Sequence, residues 1–304
     1  MVAPIVLWMW VAGVILLCLG VAVAWSRLAA APGLEKLIVL GQAFVASALA
    51  AFGAEHLTAA QFVAGGVPAW IPWHLFWAVF VGLALEASAL SLAVNRVVRW
   101  SALLTGVMEL LFVLMLHIPN AAAHPGDRFI WTVVLRDLTF SAGMFALAGT
   151  CRGWDGLVTA ARYYMGAASI FFSVQHFLHP AFAPGVPLQK MTPDWAPVPA
   201  VWGWLIGLVL LAGGAALLAN WRARETAGWL GLVITVLTAV LYLPMLLIST
   251  RIGGTGPQVE GLNYVFDTLL FAGSLLVLAS ALPGRRTAPA MVERPFVVME
   301  ESGN

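Results

Sequence analysis

Few groups in this chain can bind protons, metals or redox cofactors, and several of them stand side by side. There are six histidines, His56, His74, His117, His124, His176 and His179, and 14 acidic residues in 304. Glu55 adjoins His56, and Arg136 adjoins Asp137. Glu109 precedes His117 by eight residues, about two helical turns, so the two share one helix face. A quinone site needs a histidine donor to a carbonyl, an acid to manage the proton and aromatic rings alongside. Glu55, His56, His117 and Asp137 supply the polar parts, and Trp70, Trp73, Trp77 and the nearby His74 could line the ring. A b-type haem between two histidines at equal depth is the second chemistry, with His56 opposite His117 or His176. A metal held by Glu55, His56, His117 and His124 is the third. No H-x-H or H-E-x-x-H spacing supports it, and the His176/His179 pair runs into Pro180, so no metal site is assigned. Against all three stands a plain reading in which these residues cap helices and bond across a bundle. Asp137 and Asp267 are expected in first helical turns, where the helix dipole favours a carboxylate.

Composition says what must position these groups. Hydrophobic residues make up 62% of the chain and charged residues 10%, with a mean hydropathy of +0.93. A soluble domain is nearer half apolar and a quarter charged, so a water-soluble enzyme, a nucleic-acid binder and a disordered chain are all excluded. Cys18 and Cys151 are too far apart to suggest a redox or metal pair. No G-x-G-x-x-G, Walker loop, C-x-x-C or nucleophile elbow occurs. The longest stretch between apolar runs, 179–198, is too short for a soluble redox domain.

A spanning helix needs roughly 20 mostly apolar residues. Nine such runs stand out, near 5–25, 37–54, 73–95, 100–118, 130–149, 160–178, 199–219, 227–248 and 262–281. Positive charge follows the first run rather than preceding it, which argues for an uncleaved helix with its N-terminus outside. Of the fifteen basic residues, one face would then carry Arg27, Lys36, Arg96, Arg99, Arg152, Arg162, Arg222, Arg224, Arg285, Arg286 and Arg294. Only Arg128, Arg136, Lys190 and Arg251 fall on the other. By the positive-inside rule the C-terminus is cytoplasmic, in a bacterial-type inner membrane. Most tryptophans lie near span ends as an aromatic belt.

Two stretches look like one unit written twice. At an offset of 120, Phe52 and His56 match Phe172 and His176; at 125, Trp77, Asn95, Arg99 and Pro119 match Trp202, Asn220, Arg224 and Pro244. At 130, Asp137 and Gly143 match Asp267 and Gly273. The expected fold is all-α and polytopic: a leading helix and linker (1–36), a first four-helix bundle repeat (37–150), a second parallel one (151–282), and a disordered cytoplasmic tail (283–304).

A four-helix membrane unit with Phe-x3-His closing its first helix, a proline-bearing outer loop and an Asp opening its fourth resembles the DoxX family. The resemblance implies a transmembrane four-helix bundle, here doubled over about 235 residues. It also implies membrane oxidoreductase complexes, such as thiosulfate:quinone oxidoreductase, in which electrons pass to quinone.

The halves differ where ionisable groups are concerned. The second half has Gln175, Tyr242, Phe266, Leu211 and Ile234 where the first has Glu55, His117, Arg136, Glu86 and Glu109. The site is therefore expected in the first half, at the outer surface, with the second half as support. Glu86 and Glu109 fall mid-span, where a carboxyl must be neutral, paired or cavity-facing. They are expected to lie together and carry protons, or else to bond to Ser88, Ser91 or Thr105. Function follows as a quinone-binding subunit of a respiratory-type complex, working in the bilayer with other redox subunits and no nucleic acid. Its rivals are a non-catalytic anchor or assembly subunit and a small-solute transporter.

Overall fold

The structure, a computed structural model, describes residues 2–150, 153–186, 190–252 and 254–284. Arg152, Arg285, Arg286, Arg294, Cys151 and most of the expected tail lie outside the described residues. Among those described, nine helices are long and apolar enough to cross a membrane. They are α1 (Pro4–Ala30), α2 (Glu35–Thr58), α3 (His74–Ala93), α4 (Val98–Ala123), α5 (Arg128–Thr150), α6 (Asp155–Leu178), α7 (Pro199–Leu218), α8 (Ala223–Arg251) and α9 (Thr255–Ala281). All nine coincide with the runs read from hydropathy. Several extend beyond them because a helix continues through polar turns until its cap, while hydropathy marks only the apolar stretch.

Local chemistry sets the joints. The turn from α3 to α4 uses left-handed backbone at Asn95 and Val97 (φ 54° and 55°), and the turn from α7 to α8 does so at Asn220 and Arg222 (φ 54° and 46°). Trp73 and Val198, left-handed as well, precede α3 and α7. Each of these pairs is 125 residues apart. A π-helical turn interrupts α4 at Val113–His117 and α8 at Thr238–Tyr242, again 125 apart. Pro119 and Pro244 stand two residues past the ends of these turns. Proline has no N–H to give and its ring crowds the carbonyl four residues back; a wider turn relieves both problems.

Packing divides the helices into an inner and an outer set. In the most apolar stretch of α9, 83% of residues are buried, and in α2 72%, against 22% in α1 and 28% in α4. α1 and α3 lie on α2, α4 on α5, α7 on α6, and α8 on α9. Large apolar side chains such as Trp25, Phe76, Phe80, Leu83, Leu104 and Trp229 face outward, an exterior suited to lipid.

The two halves also pack against each other. Two self-contained bundles would pair α2 with α5 and α6 with α9 as first and fourth helices. Instead α2 runs along α9, α6 along α5, and α5 meets α9 at the centre. Small residues permit it: a Cβ on Gly41 would stand 2.6 Å from Leu276 Cβ, and one on Gly143 2.6 Å from Ser274 Cβ. Without a strong hydrophobic drive between helices in lipid, such close backbone approach decides which spans associate.

Candidate functional site

At the centre, α5 and α9 place two carboxylates on either side of one guanidinium. Arg136 donates from Nε to Asp137 Oδ1 at 2.9 Å and from Nη1 to Asp267 Oδ2 at 2.5 Å. His117 Nε2 meets the other oxygen of Asp137 at 2.9 Å. The result is a chain, His117–Asp137–Arg136–Asp267, that crosses from α4 through α5 to α9. Side chains of Arg136, Asp137 and Asp267 are only 11–12% exposed. Burying such a set costs several kcal/mol per ion unless geometry and hydrogen bonds are good, and here the guanidinium makes two short charge-assisted bonds. The π turn has a part in this. His117 is its last residue, and the extra residue per turn changes the direction in which everything after Val113 points.

Asp137 and Asp267 do not open their helices, contrary to expectation. α5 begins at Arg128 and α9 at Thr255, so the two residues lie about 14 Å and 18 Å into them. In α9 the polar first turns, residues 255–260, escape a hydropathy window; in α5 the apolar run near 130 already begins well before Asp137. A dipole cap therefore does not explain these carboxylates, and the cluster is deeper than the helix ends. Asp127 does cap, accepting from Phe129 N–H at 2.8 Å.

Two chambers adjoin the ionic chain. The inner, about 220 Å³, is bounded by His56, Glu109, Arg136, Asp137, Asn263 and Asp267, with Phe52, Phe112 and Phe140 as its apolar wall. The outer, about 570 Å³, has Glu55, Arg136, Asn263 and Asp267 on its polar side and Ile5, Phe62, Phe129 and Val133 opposite. Arg136, Asn263 and Asp267 border both. Asn263 Nδ2 makes a long 3.5 Å contact with Glu55 Oε1, while its buried Oδ1 has no hydrogen-bond partner among the described residues.

The paired histidines behave differently. His176 is fully buried; Nδ1 donates to Phe172 O at 2.6 Å and Nε2 accepts from Gly185 N–H at 2.9 Å. Both ring nitrogens are used in tying the segment after α6 to the helix. His56 repeats the first bond, Nδ1 to Phe52 O at 2.8 Å. That tautomer leaves Nε2 as an acceptor, with no protein donor among the described residues, beside the inner chamber. In like manner Tyr242, the counterpart of His117, is buried and donates to Pro184 O at 2.8 Å.

No family model, curated protein or solved structure matches the chain.

Of the residues singled out from sequence, Glu55, His56, Glu109, Arg136 and Asp137 border the chambers, and His117 joins through Asp137. Glu86 does not. It lies against α2, where a Cβ on Gly53 would sit 2.9 Å from its Cγ, and the expected Glu86–Glu109 pairing is absent from the inner chamber's wall. Ser88 and Thr105 bond to each other instead, as do Ser91 and Ser101. Trp70 and Trp73 are 71% and 77% exposed. Trp77 packs edge-on with Phe76 and Phe80 on the outer side of α3. None of these, nor His74, lines a chamber; the aromatic residues that line the inner one are Phe52, Phe112 and Phe140. His124, just past the end of α4, bonds to Asn120 O in that helix's last turn. The residues that sequence reasoning passed over are on α9: Glu260, Asn263 and Tyr264 precede Asp267 at spacings of seven, four and three. That is one helical face, and the spacing was there to be read.

Proposed function

We propose that the chain is a cytoplasmic-membrane protein, N-terminus outside, built from two parallel four-helix repeats behind a leading helix. It binds a quinone at the two chambers and serves as the membrane subunit of an oxidoreductase complex. The 125-residue recurrence of left-handed turns and π turns supports the duplication, and the eleven-to-four split of basic residues supports the orientation. The DoxX-like resemblance points the same way.

The functional reading rests on one observation: His56, whose Nδ1 is spent on Phe52 O and whose Nε2 has no protein donor among the described residues, lines a chamber that also holds Glu109, Asp137, Asp267 and a guanidinium. A quinol hydroxyl could donate to that nitrogen, and a quinone carbonyl could accept from Arg136. The phenylalanine wall would pack the ring, and the apolar side of the outer chamber would take the start of an isoprenoid tail. A bound quinone would supply two-electron, two-proton redox chemistry. This chain's own residues orient the ring and hold its protons: His56 at Nε2, Glu109 and Glu55 as carboxyls. Partner subunits supply the electrons' other terminus. Haem fits less well, because both nitrogens of His176 are engaged and His117 Nε2 is held by Asp137.

The test is mass spectrometry of an organic extract from protein purified in mild detergent. Quinone near one per chain is expected, lost in His56→Leu and retained in His176→Leu variants that stay monodisperse. No quinone above the lipid background would favour the anchor reading, and equal retention in both variants would remove His56 from the site.

A further inference from the structure

A third chamber continues the series. About 530 Å³ in volume, it lies between the segment before α7 and the helices α8 and α9, and Glu260 and Tyr264 border both it and the outer chamber. Tyr264 Oη donates to Glu260 Oε1 at 3.0 Å, and Glu260 Oε2 pairs with Lys190 Nζ at 2.8 Å. Three chambers are thus strung along one face of α9, and each pair of neighbours shares polar side chains from that face. Asn263 and Asp267, with Arg136, separate the inner chamber from the outer; Glu260 and Tyr264 separate the outer from the third.

We propose that this face of α9 lines a water-filled route giving Glu109 access to the aqueous phase, with the Arg136–Asp267 pair and Asn263 as its gate. Each chamber is far larger than the ~15 Å³ that one water requires. Water also needs polar partners, and all three supply them. Asn263 Oδ1, a buried acceptor without a donor among the described residues, belongs to a side chain that borders two chambers, where a water would satisfy it. Arg136 borders both the inner and the outer chamber, and its two carboxylate bonds hold the guanidinium in place there. The route does not depend on what ligand the chambers take; it would serve a quinol's protons or any other.

Single cysteines test it in the full chain, with Cys18 and Cys151 replaced by serine and the protein in lipid nanodiscs. The probe is a charged, membrane-impermeant methanethiosulfonate reagent, which reacts only with hydrated thiols. Asn263→Cys should react at least tenfold faster than the lipid-facing control Leu83→Cys. Leu270→Cys, which borders only the inner chamber, should react about tenfold slower than Asn263→Cys. Adding Arg136→Gln should raise the Leu270→Cys rate about tenfold. Should Arg136→Gln not fold, Asn263→Ala opens the same partition without stranding a charge. If Asn263→Cys reacts no faster than Leu83→Cys, the route is dry and the proposal fails. If Leu270→Cys is unchanged by opening the partition, the gate is refuted.

Discussion

Arg136 decides the electrostatics of the site. Replacing it by alanine strands Asp137 and Asp267 in the interior, a loss of about 3–5 kcal/mol for a broken buried pair. The melting temperature of Arg136→Ala in detergent should therefore fall sharply, and adding Asp267→Asn should recover part of the fall. Strict additivity of the two changes would show that the pair is not coupled. The duplicated histidines give a second prediction. His176→Leu leaves the buried Gly185 N–H without its acceptor and should cost about 1–3 kcal/mol. His56→Leu removes only a bond to a carbonyl within its own helix and should melt within about 1 kcal/mol of the parent. Reversed stabilities would mean that His56, not His176, is the structural one. Quinone retention should likewise be lost in His117→Ala and kept in Tyr242→Phe. Much of this was legible from residue types: of the ionisable groups that differ between halves, Glu55, Glu109 and Arg136 border the chambers and His117 joins them through Asp137. Glu86 misled because depth in a span says nothing about which way a side chain points.

At the scale of elements, the π turns and the glycine contacts do the positioning. Gly143 lets α5 reach the backbone of α9 beside Ser274, where an added Cβ would lie 2.9 Å from Ser274 Cα. A backbone neighbour cannot swing aside, so Gly143→Ala should destabilise by about 1–3 kcal/mol through overpacking. Gly156, in the first turn of α6, would meet nothing within 4 Å, and Gly156→Ala should be neutral or stabilising by up to about 1 kcal/mol. Scanning fluorimetry of the two variants checks the pair, and similar melting temperatures would count against the α5–α9 contact. The prolines after the π turns could be read in the sequence. The consequence, a redirected His117, could not, because it depends on how many residues the turn takes before Pro119.

For the whole molecule, the crosswise packing of α2 on α9 and α6 on α5 makes each half depend on the other. Expressed alone, residues 1–150 should give no cooperative melt, since α2 loses its contact with α9 and α5 loses its contacts with α6 and α9. Co-expressed with 153–304, the two fragments should co-purify and melt together. A stable, monodisperse first half by itself would restore the two-bundle arrangement. Nine apolar helices were foreseeable because each is a property of some twenty consecutive residues, and hydrophobicity over that length sums locally. The uneven placement of basic residues was equally open to reading. The joining of Arg136 to Asp267, 131 residues away, was not. Which spans touch depends on where glycine and serine let two backbones close to contact, and on the rotation that a π turn imposes. Neither is encoded in the hydropathy of either helix, so only the folded arrangement brings the ionic chain, its chambers and the face of α9 together.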